Sequence, residues 1–451
     1  MTFNPENYKT EQIESGSLKI TFRAYRNIPY VRNPVSPELQ MLNIFIPQIY
    51  IDGGTINGYN NKTAPIFFPN GIGGYMEIKP CSPCVRDDGS FNTEAMALAH
   101  GYVVISAGAR GRTTADGEKY IGKAPACIVD LKAAVRFIRS ISDKICGDVN
   151  KIISNGTSAG GAMSALLASS GDSPLYLPYL EQLGAETTSD RIFAASCYCP
   201  ITNLENSDSA YEWQYGHLSE QHWHKWEQDG DSWKVTPVHT ILNDEQMKLS
   251  AKLKEQFPKY LNSVAPNGLT LDESGNGSFK DYIEKLIINS AESAYSEGEV
   301  IPEESGIDLS AGTIDFEKYC GFITRMKAPC AFDNPDMYTP ENQLFGDEIT
   351  DKKHFTRFGT DADRNDNPTA PSDVVRLMNV MNFITNEGCA RHWRIRHGAA
   401  DRDTSFAISA MLAQCLAAEG KNVDYCLPWG IPHSGDYDLE ELFNWIDSIS
   451  R

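Results

Sequence analysis

The sequence lacks the features that mark membrane and secreted proteins. No apolar stretch is long enough to span a bilayer, and the amino terminus has no basic region followed by an apolar run. Positive charge is scarce: 40 Lys and Arg stand against 60 Asp and Glu, for a net charge of −20. Such a surface repels nucleic acids and anionic membranes, so we expect neither as a partner. These features predict a cytoplasmic protein.

The cysteines do not form the pattern of a disulfide framework or of a zinc site. There are eleven, an odd number, scattered through predicted strands and helices, which favours reduced thiols. Cys81 and Cys84 have the spacing of a redox or zinc pair, but no second such pair or histidine cluster accompanies them. Cys197 and Cys199 alternate along an apolar run, which indicates strand packing. Whether either pair forms a disulfide stays an open question. We expect no metal and no cofactor.

The chain is long for a single hydrophobic core, and its pattern of apolar and polar residues divides it into three segments. Over 1–200, short apolar runs alternate with helical segments, which is typical of βαβ units in a mainly parallel sheet, and the pattern resumes over 372–451. Residues 201–371 are polar and rich in loops, so we expect them to form a lid or cap inserted in the core. We call 201–371 the cap segment. The predicted fold class is α/β, with a mostly parallel central sheet flanked by helices and a large, mainly helical cap.

Individual elements follow from the same periodicities. Strands are predicted over 18–27, 40–47, 64–69, 102–106, 192–199, 393–397 and 422–427, the first two as an antiparallel entry to the sheet. Helices are predicted over 92–100, 126–145, 244–257, 279–294, 316–326, 373–386, 405–419 and 439–449.

Two polar clusters of the cap segment resemble ligand sites only weakly. Tryptophans and histidines crowd one part of it, and we expect packing within the cap rather than a metal site, because no spacing matches a helical ligand pair with a third partner. These residues are Trp213, Trp223, Trp226, Trp233, His217, His222 and His224. Residues 361–367 have the acidic spacing of a calcium loop but lack its central glycine and closing glutamate, which favours a solvated loop.

The stretch Gly156-Thr157-Ser158-Ala159-Gly160 lies between a β-branched run and a run of small, helix-forming residues. G-x-S-x-G in this context is a nucleophile elbow, where a strained turn raises the serine hydroxyl above the sheet. The glycines let strand and helix approach closely, and the backbone N–H of Ala159 faces any developing oxyanion. We therefore predict Ser158 as a nucleophile; the alternative is an ordinary glycine-rich βα turn.

A second glycine-rich loop, residues 70–75, directly follows the predicted strand 64–69. α/β-hydrolases carry their second oxyanion donor in this position. We assign that role to the backbone around Gly73 and Gly74 and expect Tyr75 to line the pocket. The alternative is a flexible surface turn.

The order of polar residues after the strands completes a triad. α/β-hydrolases present Ser, then an acid, then His, and this chain supplies Asp401 after the next-to-last strand and His433 after the last. His433 would take the Ser158 proton, and Asp401 would fix the imidazole tautomer. His397 is a rival base, but it precedes the acid and lies in a predicted strand. Asp403 is a rival acid that order alone does not separate from Asp401.

Together these motifs resemble the bacterial tannases, the tannin acyl hydrolases of the α/β-hydrolase superfamily, across nearly the whole chain. The matching features are Gly-Thr-Ser-Ala-Gly-Gly at 156–161, Asp-Arg-Asp-Thr-Ser at 401–405 and the late His433. The resemblance implies that Lys327 and Glu341 of the cap segment, with Asp403, hold the galloyl hydroxyls. An ammonium and two carboxylates can pair with three vicinal phenol hydroxyls. The cysteine pair that flanks the triad in fungal tannases and feruloyl esterases is absent, which favours the bacterial, intracellular-type subgroup.

The resemblance implies a serine esterase that cleaves galloyl esters, such as tannins and alkyl gallates, and esters of protocatechuate, through an acyl-enzyme. The expected partner is a small polyphenol ester. One alternative is a feruloyl esterase or general aromatic carboxylesterase with the same triad and a less selective cap. Another is an inactive hydrolase fold that serves as a binding module, which three occupied triad positions disfavour. Nothing in the sequence suggests the peptide-binding cap of a peptidase, and the sequence does not fix the oligomeric state.

Overall fold

The computed structural model describes residues 3–229 and 232–451. One nine-stranded sheet runs through this part of the chain. In chain order its strands are β1 (Lys9–Ser15), β2 (Leu18–Pro29), β3 (Met41–Pro47), β4 (Pro65–Pro69), β5 (Val103–Ala107), β6 (Asp148–Thr157), β7 (Ala194–Tyr198), β8 (His392–Arg396) and β9 (Asn422–Cys426). Across the sheet their order is β1-β2-β3-β5-β4-β6-β7-β8-β9.

The pairing of neighbouring strands changes once across this sheet, from antiparallel to parallel. Strands β1, β2 and β3 pair antiparallel, as does β3 with β5. Every pair from β5 to β9 is parallel. The predicted α/β class with an antiparallel entry is confirmed. Strands β4, β5 and β7 are buried along their whole length, which explains their continuous apolar character.

Helices cover the sheet and fill much of the cap segment. The α-helices are Gln48–Ile51, Thr93–His100, Ala126–Ser140, Ala159–Ser169, Leu177–Gln182, Leu204–Tyr215, Asp244–Lys254, Gln256–Val264, Ser278–Ser296, Phe316–Ile323, Pro340–Leu344, Arg357–Ala362, Ser372–Leu377, Phe406–Ala418 and Leu439–Ser450. Short 3-10 turns occupy Pro174–Tyr176, Glu303–Ser305 and Val380–Asn382. Among the described residues, no helix combines the length and the apolarity that crossing a bilayer requires.

Four predicted helices are wrong in extent. The helix predicted over 316–326 ends at Ile323, because Thr324 has a φ of 67° that a helix does not accommodate. The helix predicted over 126–145 ends at Ser140, and the three residues 142–144 that follow Ile141 are exposed. The helix predicted over 244–257 is two helices, since Pro258 has no N–H to continue the hydrogen-bond ladder. The helix predicted over 373–386 stops at Leu377, where Asn379 instead caps a 3-10 turn through the backbone N–H of Met381.

The cap segment also contains an element that the sequence did not predict. Residues Glu220–Asp229 and Ser232–Ile241 form an antiparallel two-stranded ribbon, which we call the cap hairpin. Helix Leu204–Tyr215 was missed as well. The side chains of Trp226 and Trp233 lie outside the described residues, so their predicted packing is not addressed. Smaller two-stranded pairs are Ala115–Asp116 with Lys119–Tyr120 and Ile307–Asp308 with Thr313–Ile314.

All eleven cysteines are free thiols, including the Cys81 and Cys84 pair and the Cys197 and Cys199 pair. Cys197 is buried within β7, as the alternating pattern predicted, and Cys199 is the first residue beyond that strand. The structure therefore answers the open question of these two pairs in favour of reduced cysteines.

Candidate active site

Ser158 lies between the end of β6 and the first residue of helix Ala159–Ser169. Its φ of 59° and ψ of −122° are strained for a residue with a side chain. A Cβ on Gly156 would lie 2.5 Å from the carbonyl carbon of Gly160, and a Cβ on Gly160 would lie 2.7 Å from Oδ1 of Asn70. Both glycines are thus required by close approach, which is the geometry of a nucleophile elbow.

The three predicted triad residues are aligned for proton transfer. The Oγ of Ser158 lies 2.8 Å from Nε2 of His433, and Nδ1 of His433 lies 2.7 Å from Oδ2 of Asp401. Asp401 is fully buried, whereas His433 is about one fifth exposed. With Nδ1–H donating to the carboxylate, Nε2 is left as an acceptor for the serine hydroxyl.

The surroundings of Asp401 keep its carboxyl ionised. It accepts hydrogen bonds from the backbone N–H groups of Asp403 at 2.8 Å and Thr404 at 3.2 Å. Burial alone would raise the pKa of Asp401, but His433 and His397 outweigh it and hold the pKa well below its usual range. The same carboxylate raises the pKa of His433 against the opposing effect of burial.

His397, the rival base, contacts the acid rather than the nucleophile. It is buried just beyond the end of β8, and its Nε2 lies 3.1 Å from Oδ2 of Asp401. Its Nδ1 lies 2.8 Å from Oγ of Ser409. These two contacts leave His397 as a second partner of Asp401, which stabilises the buried negative charge.

Cys199 is a neighbour of the triad that sequence reasoning missed. It is buried, has a φ of 36°, and its Sγ lies 3.9 Å from Nε2 of His433. The thiol also donates to the carbonyl oxygen of Ser434 at 3.5 Å. Its position after β7 brings it to the same sheet edge as Ser158, a relation that no local spacing reveals.

The glycine-rich loop at 70–75 is tied to the elbow. The side-chain amide of Asn70 donates to the carbonyl oxygens of Asn155 and Gly160, both at 3.2 Å, and to Oγ of Ser164 at 2.9 Å. Such anchoring is not the behaviour of a flexible surface turn, which was the alternative for this loop.

The tip of that loop borders Ser158. Gly74 and Tyr75 have φ of 51° and 58° and line the same cavity as Ser158 and Ala159. Arg112 binds both residues. Its Nε donates to the carbonyl oxygen of Gly74 at 2.7 Å, and its backbone N–H donates to the carbonyl oxygen of Tyr75 at 2.8 Å. Gly73 lies one residue earlier, and its carbonyl accepts from the backbone N–H of Met76.

A cavity of about 790 Å³ opens above Ser158 between the sheet edge and the cap segment. Its walls contain every predicted site residue except Asp401 and Gly73. Asp401 is fully buried and contacts His433, which does line the cavity. The cap segment supplies much of the remaining wall: Gln221, Trp223, His224, Met326, Ala328, Ala331, Tyr338, Thr339 and Pro340. A cavity of this size is typical of small-molecule sites.

Opposite charges meet on one wall of the cavity. The Nζ of Lys327 lies 2.5 Å from Oδ1 of Asp403 and 4.4 Å from the ring centroid of Phe332. Glu341 contributes a second carboxylate and is only 5% exposed. An ammonium and two carboxylates, brought together from 327, 341 and 403, thus face the same space as the serine.

The charges of these groups are strongly coupled. Burial raises the pKa of Glu341 to about 7, and Asp403 adds to the shift while Lys327 and Arg112 oppose it. Burial would lower the pKa of Lys327, but the carboxylates of Asp403 and Glu341 raise it further than burial lowers it. Lys327 is therefore a cation at neutral pH, and Glu341 is close to its titration point.

Three cap tyrosines, which we call the tyrosine clamp, hold the turn that carries Asp401 and Asp403. Their hydroxyls donate at 2.6 to 2.9 Å to backbone carbonyl oxygens. The pairs are Tyr211 with Arg402, Tyr215 with Asp401 and Tyr319 with Ala399. The Tyr211 oxygen also accepts from the backbone N–H of Lys327 at 2.9 Å. One side chain therefore fixes both Lys327 and the acid turn.

The chain is similar to known proteins in sequence and in fold. The sequence profile of the family described as BD-FAE matches residues 85–222. A tannase from Fusobacterium nucleatum is 46% identical, with a TM-score of 0.95 over 100% of this chain and 99% of its own. A tannase from Lactobacillus plantarum is 42% identical, with a TM-score of 0.95 and the same coverage. A tannin acyl hydrolase in complex with ethyl gallate is 43% identical, with a TM-score of 0.93 over 100% of this chain and 98% of its own. No curated protein sequence matches the chain.

Proposed function

The chain belongs to the tannase family, the tannin acyl hydrolases, and on that premise we propose how its cavity cleaves galloyl esters. It is a carboxylic ester hydrolase of the α/β-hydrolase fold. Relatives are described in complex with ethyl gallate and with 3,4-dihydroxybenzoate, both of them small hydroxylated aromatic molecules. One observation carries the proposal: the charged residues Lys327, Asp403 and Glu341 line the same cavity as the hydrogen-bonded pair of Ser158 and His433.

In this proposal Ser158 is the nucleophile. Nε2 of His433 accepts the Ser158 proton as Oγ attacks the ester carbonyl, and Asp401 stabilises the imidazolium. The backbone N–H of Ala159 and the backbone around Gly73 and Gly74 donate to the oxyanion. His433 then returns the proton to the departing alcohol, which leaves a galloyl ester on Ser158. A water molecule, deprotonated by His433, hydrolyses this ester and releases gallate.

The substrate ring is held by the charged wall. Lys327 donates to phenol oxygens, while Asp403 and Glu341 accept from phenol hydroxyls, and Tyr75 borders the ring. Glu341 is buried and Lys327 and Asp403 are half-buried, so a ring without hydroxyls would displace water from these groups without replacing its hydrogen bonds. This chemistry favours galloyl and protocatechuate esters over feruloyl esters, in which a methoxy group replaces one hydroxyl. It therefore disfavours the alternative of a general aromatic esterase.

We also propose that 1–200 and 372–451 form the hydrolase core and that 201–371 is its cap. All nine strands of the central sheet lie within 9–198 and 392–426, outside 201–371, which supports this division. The hydrogen bonds from the tyrosine clamp to 399–402 join the two parts beside the site. Location in the cytoplasm stays a prediction of the sequence.

A comparison of three esters tests the substrate assignment. We expect kcat/KM to be much higher for methyl gallate than for methyl ferulate. Lys327→Ala and Asp403→Ala should each lower kcat/KM for methyl gallate by about 100-fold, since each removes a charged hydrogen bond to the ring. Both variants should keep kcat/KM for p-nitrophenyl acetate within about threefold of wild type, because that ester has no phenol hydroxyl for these residues to hold.

Lys259→Ala is the matched control. Lys259 is an exposed lysine of cap helix Gln256–Val264, and its removal should change neither activity. Wild-type enzyme that cleaves p-nitrophenyl acetate but not methyl gallate would overturn the substrate assignment. If Lys327→Ala lowered kcat/KM equally for methyl gallate and for p-nitrophenyl acetate, the role of Lys327 in holding the ring would be overturned.

A further inference from the structure

The cap hairpin carries a cluster of three side chains that the proposed reaction does not use. His222 and His239 face each other as a cross-strand pair, with ring centroids 4.4 Å apart and planes 24° apart. Glu220 lies two residues before His222 on the same strand, so its side chain is on the same face. Packing rather than metal binding was expected for His222, because no spacing matched a helical ligand pair with a third partner. His239 is 17 positions from His222, and only the strand pairing brings the two together.

The spacing of the three ligand atoms matches that of ligands around one metal ion. Oε2 of Glu220 lies 3.2 Å from Nε2 of His239 and 3.6 Å from Nε2 of His222. All three atoms lie within 4.8 Å of one another. Ligands at about 2.1 Å from a tetrahedral zinc ion are about 3.4 Å apart, so small rotations of the rings would place all three around one ion.

We propose that Glu220, His222 and His239 bind a divalent transition-metal ion of the zinc class. The ion would join two nitrogen ligands and one oxygen ligand, a set that zinc accepts, with water completing the tetrahedron. The three side chains are 41 to 61% exposed, so an ion reaches them directly from solvent.

An ion at this cluster would cross-link the two strands of the cap hairpin near its base. Strand Glu220–Asp229 also supplies Gln221, Trp223 and His224 to the cavity wall. Fixing the two strands to each other lowers the freedom of the hairpin that borders the cavity. We therefore expect bound zinc to raise the thermal stability of the protein.

A second group of ligand atoms competes for the same ion. Cys199, Asp401 and His433 also lie within 4.8 Å of one another in the described part of the chain. Asp401 and His433 already pair with each other and with Ser158, and the Cys199 thiol is buried, so an ion would have to break the triad to bind there. This difference makes the two locations experimentally distinct.

Isothermal titration with zinc chloride tests the proposal. The protein should be untagged, since a polyhistidine tag binds zinc, and should be stripped with a chelator and desalted first. We expect one zinc ion per chain. His239→Ala should weaken binding by about 100-fold, because even the loss of a residue that only orients a ligand costs about 10- to 100-fold. Glu220→Gln should weaken it by about tenfold. The rise in melting temperature with zinc should disappear in both variants.

Two control variants locate the ion. His224→Ala removes a neighbouring histidine of the same strand that is outside the cluster and should keep zinc binding. Cys199→Ser should keep it too. Absence of zinc binding to wild type, undiminished binding to His239→Ala, or loss of binding in Cys199→Ser would each overturn the proposal. The cap-hairpin variants change solvent-accessible side chains, whereas Cys199→Ser replaces a buried thiol by a hydroxyl; an unchanged melting temperature without zinc verifies that each variant folds.

Discussion

At the scale of single residues, the charge of Glu341 is set by its surroundings. Burial and Asp403 push its pKa up to about 7, while Lys327 and Arg112 limit the shift. A glutamate in this range changes charge across the pH values at which an esterase is normally measured. Both its binding of phenol hydroxyls and its effect on folding therefore depend on pH.

We expect the KM for methyl gallate to fall as pH rises from 6 to 8. The ionised carboxylate of Glu341 accepts phenol hydroxyls more strongly than the neutral acid does. The ionised fraction grows from about a tenth to about nine tenths across this interval when the pKa is about 7, so KM should fall by up to about tenfold. In Glu341→Gln the KM should be higher and flat over the same interval. A wild-type KM that does not change with pH would contradict this role of Glu341.

Glu341→Gln should also stabilise the protein above pH 7. The folded pKa is raised above the unfolded value of 4.5, so this group favours folding at low pH and loses that contribution as pH rises from 4.5 through 7. The substitution should therefore raise the free energy of unfolding by up to about 3 kcal/mol at pH 8 and change it little at pH 4. Chemical denaturation at the two pH values measures both. A variant less stable than wild type at pH 8 would contradict the account.

The sequence could predict the residues whose evidence is local. Ser158 is fixed by its glycine neighbours, and Asp401 and His433 follow from their order after strands. Lys327 and Glu341 have no local signal and came only from the resemblance to tannases. Cys199 was missed because its contact with His433 spans 234 positions and depends on two strands ending at the same edge.

At the scale of elements, the tyrosine clamp joins the cap segment to the acid turn. Tyr211 and Tyr215 are four residues apart and so share one face of helix Leu204–Tyr215, while Tyr319 comes from helix Phe316–Ile323. The hydroxyls of these two tyrosines have different partners: that of Tyr211 contacts both Lys327 and the 401–403 turn, whereas that of Tyr215 donates to the carbonyl oxygen of Asp401.

This difference in partners predicts different kinetic effects for two hydroxyl deletions. Tyr211→Phe should raise the KM for methyl gallate about fivefold and leave kcat/KM for p-nitrophenyl acetate within twofold, because a lost hydrogen bond costs about 1 kcal/mol and displaces Lys327. Tyr215→Phe should lower kcat/KM for both esters alike, since it loosens the triad acid. Tyr295→Phe, an exposed tyrosine of helix Ser278–Ser296, is the control. Identical effects of Tyr211→Phe on both esters would contradict this prediction.

The elements of the core were predictable because burial imposes their patterns. Strands β4, β5 and β7 are short, fully buried and mostly apolar, and the helices between them repeat with helical spacing. The cap hairpin was missed because much of it is exposed and its polar residues, such as Glu220 and His222, show no alternation with apolar ones. The break at Pro258 was a local signal that was passed over.

At the scale of the whole molecule, the residues that line the cavity come from two parts of the chain. The core supplies Ser158, His433 and Asp403, and the cap segment supplies Lys327 and Glu341. A galloyl group that binds between them contacts both parts at once, so its acid product should occupy the same place. This arrangement, in which Lys327 and Glu341 of the cap segment join Asp403 in holding the ring inside the same cavity as Ser158 and His433, is the central claim of the proposed function.

Labelling with a fluorophosphonate probe, with and without gallate, tests that claim most directly. We predict that the probe modifies Ser158, that Ser158→Ala is not modified, and that saturating gallate slows labelling of the wild type by occupying the cavity. Lys327→Ala should still be labelled, but gallate should protect it far less, since the ammonium no longer holds the ring. Modification at a residue other than Ser158, or labelling of wild type that gallate does not slow, would contradict the account.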